Sequence, residues 1–187
     1  MRNWRCAAFI FDGFSDHELA LAVDLLNRTG NVILETFSTK GRTAISRSGL
    51  RTIPHTSLPY MSPDDFDVLL LPGGDQWEKG DNLEIFPLIL STAGRKFMIA
   101  ISEATLALAD LGLLNDIPHT GIHPAHMGRL CPEYKGVSWY RWQPYANAGT
   151  IITVNGAALT QTGQGMLGLF DTLQKIYANH ELFDPAC

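Results

Sequence analysis

Three short runs of this chain, CAAFIF (residues 6–11), VLLL (68–71) and FMIAI (97–101), are apolar at every position rather than at every second one. A strand with one wet face alternates, so uninterrupted runs belong to strands buried on both faces, the condition of a parallel sheet packed between helices. The segments between them read as the helices. After the Asp12-Gly13 turn signal, Ser15 can cap a helix over about 15–28, with Glu18 at the capping-box place and Leu19, Val23 and Leu26 on one apolar face. NVILETFS (31–38) is a second strand, and the glycines at 41 and 49 around TAISRSGLRTIP mark a hairpin or excursion from the main sheet.

A helix is predicted from Pro87 to about Gly94, since proline suits a first helical turn. FMIAI then runs straight into a helix predicted over 103–114. VSWYRW (137–142) and TIITVNG (150–156) read as later strands, and residues 164–179 as a last helix with Met166, Leu169, Phe170, Leu173 and Ile176 toward the core. The expected fold class is therefore α/β with a mostly parallel central sheet covered on both faces. At 187 residues and 45% hydrophobic, one domain over 1–187 is expected, with no repeat or linker to divide it.

Fourteen basic against nineteen acidic side chains leave a net charge of −5, which excludes a broad phosphate-binding face and so a nucleic-acid partner. No apolar run approaches a membrane span, and Asp12 interrupts MRNWRCAAFIFDGF before a signal-peptide pattern develops. Cys6, Cys131 and Cys187 form no CxxC pair, and three thiols cannot all pair within one chain. A cytoplasmic location without membrane contact is expected.

Ligands of open α/β sheets gather beyond the carboxyl ends of the strands, so the joints at 12–18, 73–77 and 102–105 are the places to search. The third is the sharpest. Ala100-Ile101-Ser102-Glu103-Ala104 has small residues two places either side of Ser102, as a nucleophile elbow needs if its turn is not to collide with its neighbours. Such a corner would expose the hydroxyl and aim the Glu103 N–H at a developing oxyanion, with Gly73 and Gly74 able to add a second donor. Serine is also among the best helix N-caps, and the pattern by itself fits a cap at least as well. Glu18 likewise suits the first turn of a helix with no chemistry attached.

FDGFSDHELALA, VLLLPGG, AISEATLALADLGLLND, HTGIHPAHM and IITVNGAA, in this order and spacing, resemble the segments of the ThiJ/PfpI superfamily over nearly the whole chain. The resemblance implies a flavodoxin-like three-layer sandwich related to class I glutamine amidotransferase domains, and a homodimer. It also implies a reactive residue at the elbow, here Ser102, where the family has cysteine, with Glu18 reaching it from the first helix. A family histidine stands directly after the elbow or in the loop following its helix. Glu103 fills the first place, so the second falls on His123, with His119 competing because HTG resembles a family signature.

A serine hydroxyl needs a general base where a thiol needs only a lowered pKa. Ser102 thus admits three accounts: a natural serine nucleophile working with His123, a pseudoenzyme keeping its pocket, or a deliberate cysteine-to-serine replacement that blocks oxidation. The implied activity is hydrolase-like, on a small amide, acyl or carbonyl compound. The alternative is a non-catalytic small-molecule sensor. No cofactor is expected. No metal is expected either, since His119, His123 and His126 lack an HExxH or CxxC companion, and Pro118, Gly121 and Pro124 discourage the helix that would align them. Asp12 and Asp16 read as turn and cap residues, Trp77 as a pocket wall or dimer contact, and the aromatics of SWYRWQPY as core or subunit contact.

Overall fold

The computed structural model describes residues 3–29 and 32–156. The helix predicted over 164–179 and Cys187 lie outside the described residues. Strand β1 (Trp4–Phe9) leads through helix α1 (Asp16–Thr29) to β2 (Val32–Ser38). A detached antiparallel hairpin follows, β3 (Ala44–Ile45) with β4 (Arg51–Thr52), then a short β5 (Thr56–Ser57). Strand β6 (Val68–Leu71), α2 (Gln76–Lys79) and α3 (Phe86–Thr92) precede β7 (Phe97–Ile101) and α4 (Thr105–Asp110). The described part ends with α5 (Pro124–Leu130), β8 (Tyr145–Ala148) and β9 (Ile151–Val154).

Seven of these strands form one sheet in the order β5-β2-β1-β6-β7-β9-β8, parallel throughout except for the β8–β9 pair. The expected mixed α/β fold with a mostly parallel sheet flanked by helices is present. Its centre is where the uninterrupted apolar runs pair: Leu69 lies beside Met98 and Leu70 beside Ile99, and Met98 to Ile101 are wholly buried. Each such aliphatic side chain contributes about 2 kcal/mol by leaving water. Strand β1 starts two residues earlier than expected because Arg5 is accommodated at the sheet surface, 3.4 Å from Glu35 on β2.

Two expectations need correction. The helix predicted over 103–114 is a 3-10 turn at Ser102–Ala104 followed by α4, which stops at Asp110. Gly112, at φ 70, ends it in a Schellman arrangement, with Leu113 N donating to Leu108 O and Gly112 N to Ala109 O. VSWYRW is not a strand: Val137–Trp139 is a 3-10 turn, and Tyr140 makes only a single bridge to His119. Its aromatics divide, Tyr140 packing inward while Trp139 and Trp142 face solvent, so no face of the segment is consistently buried.

Among the described residues no helix is long and apolar enough to cross a membrane.

Candidate active site

Because β1, β6 and β7 are neighbours, the three joints that follow them meet at one end of the sheet. Ser102 ends β7 with φ 54, the only positive φ at a non-glycine among the described residues. Such a conformation crowds Cβ against the backbone and costs about 1–3 kcal/mol, persisting only where the surroundings over-determine it. Nor does the residue behave as a cap. Ile101 holds the N-cap place, and the Ser102 hydroxyl makes no hydrogen bond among the described residues. Its carbonyl accepts from Thr105 Oγ1 at 2.7 Å, which fastens the first turn behind it. The Glu103 N–H lies in that turn, where helix geometry offers it no intrahelical acceptor.

Glu18 does not close a capping box. Gly73 is bonded twice to the start of α1, its carbonyl accepting from Ser15 N at 2.8 Å and its N–H donating to Glu18 Oε2 at 2.8 Å. This turns the carboxyl inward, leaving the side chain's residue 3% exposed. Burial pushes the Glu18 carboxyl up to about 7; the Glu103 charge adds to the rise, while the Gly73 N–H, Arg47 and the Ser15 hydroxyl oppose it. The group therefore changes charge near neutral pH.

Two glycines make room for this convergence. A Cβ on Gly73 would lie 2.6 Å from Glu18 Oε2 and 3.1 Å from Ser102 Cβ, and would also strike Glu103 Oε2. A Cβ on Gly156, just beyond β9, would lie 2.5 Å from Glu18 Oε1 and 2.7 Å from Ser102 Oγ. The carboxyl and the hydroxyl thus flank the same glycine.

The Gly74 N–H is also engaged, donating to Glu103 Oε2 at 3.3 Å. Both amides expected to supply a second oxyanion donor therefore already serve carboxyl groups. Glu103 in turn reaches Arg47, 3.5 Å away, and the same guanidinium bonds Asp75 at 2.5 Å. Arg47 arrives on the β3–β4 excursion, which is tied over the corner from several sides. Gly13 N donates to Ile45 O, Ile45 N to Asp12 Oδ1, Arg47 N to Phe14 O, and Ser48 Oγ to Asp16 Oδ2. Asp12 and Asp16 thus serve as anchors for the hairpin.

The histidines lie apart from this group. His119 is wholly buried, with Nδ1 donating to Ile117 O at 2.8 Å and Nε2 accepting from Tyr134 Oη at 2.7 Å. Burial holds its pKa below the usual value, so it is a neutral, fully bonded core residue. His123 is exposed, caps α5 by accepting from Ala125 N, and packs edge-on against Trp142. No hydrogen bond among the described residues joins either ring to Ser102 or Glu18. His126 bridges Glu78 and Arg129. Among the described residues no three His, Cys, Asp or Glu side chains are placed to share a metal ion.

Trp77 is buried against Phe9 and Phe11, with its indole N–H on Pro72 O, rather than standing out as a contact surface. Cys6 is core filler, its thiol pushed up to about 12 by burial. Sequence reasoning missed Arg47 and Gly156. The second had a signal, since Gly156 follows an apolar strand just as Gly73 does. Two-residue strands gave Arg47 none.

The chain resembles YoaZ of Bacillus subtilis (strain 168), named an uncharacterised protease, at 27% identity over 170 residues, 84% of this chain and 79% of that protein. It is equally 27% identical to a second uncharacterised protease of that organism, YdeA, over 89% of this chain and 84% of the relative. Among solved structures, the DJ-1 superfamily protein Atu0886 of Agrobacterium tumefaciens is 31% identical, with TM-score 0.76 over 95% of this chain and 99% of its own. A thiJ/pfpI family protein of Bacillus anthracis, 24% identical, shares the fold at TM-score 0.81 over 92% of this chain and 84% of its own. Residues 5–162 match the DJ-1/PfpI family itself, so the chain belongs to that family.

Proposed function

We propose that the chain is a hydrolase-like enzyme acting on a small acyl, amide or carbonyl compound, with Ser102 as nucleophile and Glu18 as its proton acceptor. The observation that carries this is the strained Ser102 backbone, which holds a hydroxyl with no hydrogen bond among the described residues against the face of Gly156 that Glu18 also touches. The protease names of the two Bacillus relatives support an amide as the bond cleaved.

Ser102 Oγ attacks the carbonyl carbon and its proton passes to the ionised Glu18 carboxylate. The oxyanion forms beside the Glu103 N–H, where the helix start favours negative charge. Collapse expels the amine or alkoxide, which takes the proton back from Glu18, and water releases the acyl group by the same route. A carboxyl of pKa about 7 suits both directions at neutral pH. Glu18 replaces His123 in this scheme because the histidine is engaged on α5.

A second possibility, binding without turnover, is favoured by one observation: the Gly73 and Gly74 amides are already committed to carboxyl groups, leaving the Glu103 N–H to face an oxyanion without them. The expected homodimer belongs to the same proposal, since relatives of this family often associate.

Turnover of p-nitrophenyl acetate, small amides and methylglyoxal by the wild type, Ser102→Ala and Ser102→Cys separates these accounts. The serine-nucleophile scheme expects measurable hydrolysis that Ser102→Ala loses. An unchanged rate in Ser102→Ala would sink it. Activity present only in Ser102→Cys identifies a thiol scaffold carrying serine. A ligand that raises Tm with no turnover in any of the three identifies a binding protein.

A further inference from the structure

Behind the corner, a cleft of about 190 Å3 opens between α2 and α3 on one side and α4 and α5 on the other, and neither Ser102, Glu18 nor Glu103 lines it. Trp77, Leu83, Phe86, Leu106 and Leu130 make its walls apolar. Glu78, Lys79, Asn82 and Asp110 also line it; Glu78 is paired with His126, and Asn82 and Asp110 are the two groups that point to a ligand.

Asn82 is 5% exposed and occupies the N-cap of the 3-10 turn Leu83–Ile85, where an asparagine side chain ordinarily bonds the first N–H groups. It makes no such bond, and its Nδ2 is enclosed with no hydrogen-bond partner among the described residues. Buried amides are nearly always satisfied, so an unpartnered one in a cleft wall marks a place where a ligand group belongs. Asp110 lines the same cleft and has no ion-pair partner among the described residues. Its charge reaches the interior: Cys131, also in the wall, has a thiol pushed up to about 11 by burial, and Asp110 adds to that rise.

We propose that this cleft is a second ligand site, separate from the corner, for a small primary amine with an apolar body and an oxygen acceptor beside the nitrogen. The ammonium donates to the Asp110 carboxylate. The neighbouring oxygen accepts from the Asn82 amide, whose last torsion is broad enough to turn Nδ2 to the cleft. The apolar body lies between Trp77, Phe86 and Leu106, where aromatic faces also favour a nearby cation. An amino alcohol or a small amino amide has this chemistry; a carboxylate is disfavoured by Asp110.

Phenylalaninol tests the site, with 3-phenyl-1-propanol as the neutral control. Binding is followed through the indole N–H resonance of Trp77. Saturable shifts are expected with phenylalaninol, with affinity about tenfold lower for the neutral control and for Asp110→Asn, the scale of one partly buried charge contact. Asn82→Ala should weaken binding while folding normally by thermal melt, since it removes an enclosed donor with no partner among the described residues. Ser102→Ala should bind as the wild type does, which keeps this result independent of the corner's chemistry. Equal affinity in Asp110→Asn, equal affinity for the neutral control, or loss of binding in Ser102→Ala would overturn the proposal.

Discussion

A residue with a side chain does not settle at φ 54 unless its neighbours hold it there, and at Ser102 that strain is tied to geometry rather than to a cap. Ser102→Gly should therefore raise stability by about 1 kcal/mol in urea unfolding while abolishing any hydrolysis. Ser102→Ala keeps Cβ and should leave stability nearly unchanged. For Glu18, the folded carboxyl holds its proton up to about pH 7, against 4.5 when unperturbed. The stability it contributes is thus complete below about pH 4.5 and is lost as pH rises through 7. Glu18→Gln keeps the acceptor for Gly73 and does not titrate. It should match the wild type near pH 4.5 and exceed it above pH 7, by up to about 3 kcal/mol, in melts taken across that range. Gly156→Ala should lose both stability and activity, because its methyl has only the space held by Glu18 and Ser102.

At the scale of elements, short pieces carry the site. Helix α4 is six residues long, because Gly112, at φ 70, ends it inside an apolar run that continues to Leu114. The β3–β4 excursion was legible as a hairpin, but nothing in TAISRSGLRTIP shows that Arg47 crosses to Asp75 and Glu103. That cation lowers the Glu18 pKa. Arg47→Ala should accordingly move the Glu18 titration to higher pH, read from the carboxyl C=O band in isotope-edited infrared spectra or from the inflection of a pH–rate profile. No displacement, or one toward lower pH, would show that the strap does not set the charge at the corner.

For the whole molecule, the expected dimer is checked by sedimentation velocity, where the 20.6 kDa chain should run at twice its mass. The chain's own pattern was enough to establish a buried parallel sheet and the joints worth searching, while Ser102 and Glu18 as a pair came from the family resemblance. Uninterrupted apolar strands have only one well-packed environment, and small residues around a sharp joint leave little choice of turn. Choosing between cap and corner was beyond it, because serine and glutamate suit a helix start either way. Sheet order decided that choice: placing β6 between β1 and β7 set Gly73 against both joints, drew Glu18 inward and turned its ordinary carboxyl into one that titrates near neutrality. The histidines show the same dependence. The resemblance put His123 first with His119 competing, and long-range packing sent His119 into a tyrosine cage and His123 onto an exposed tryptophan, since burial and partners depend on segments distant in the chain.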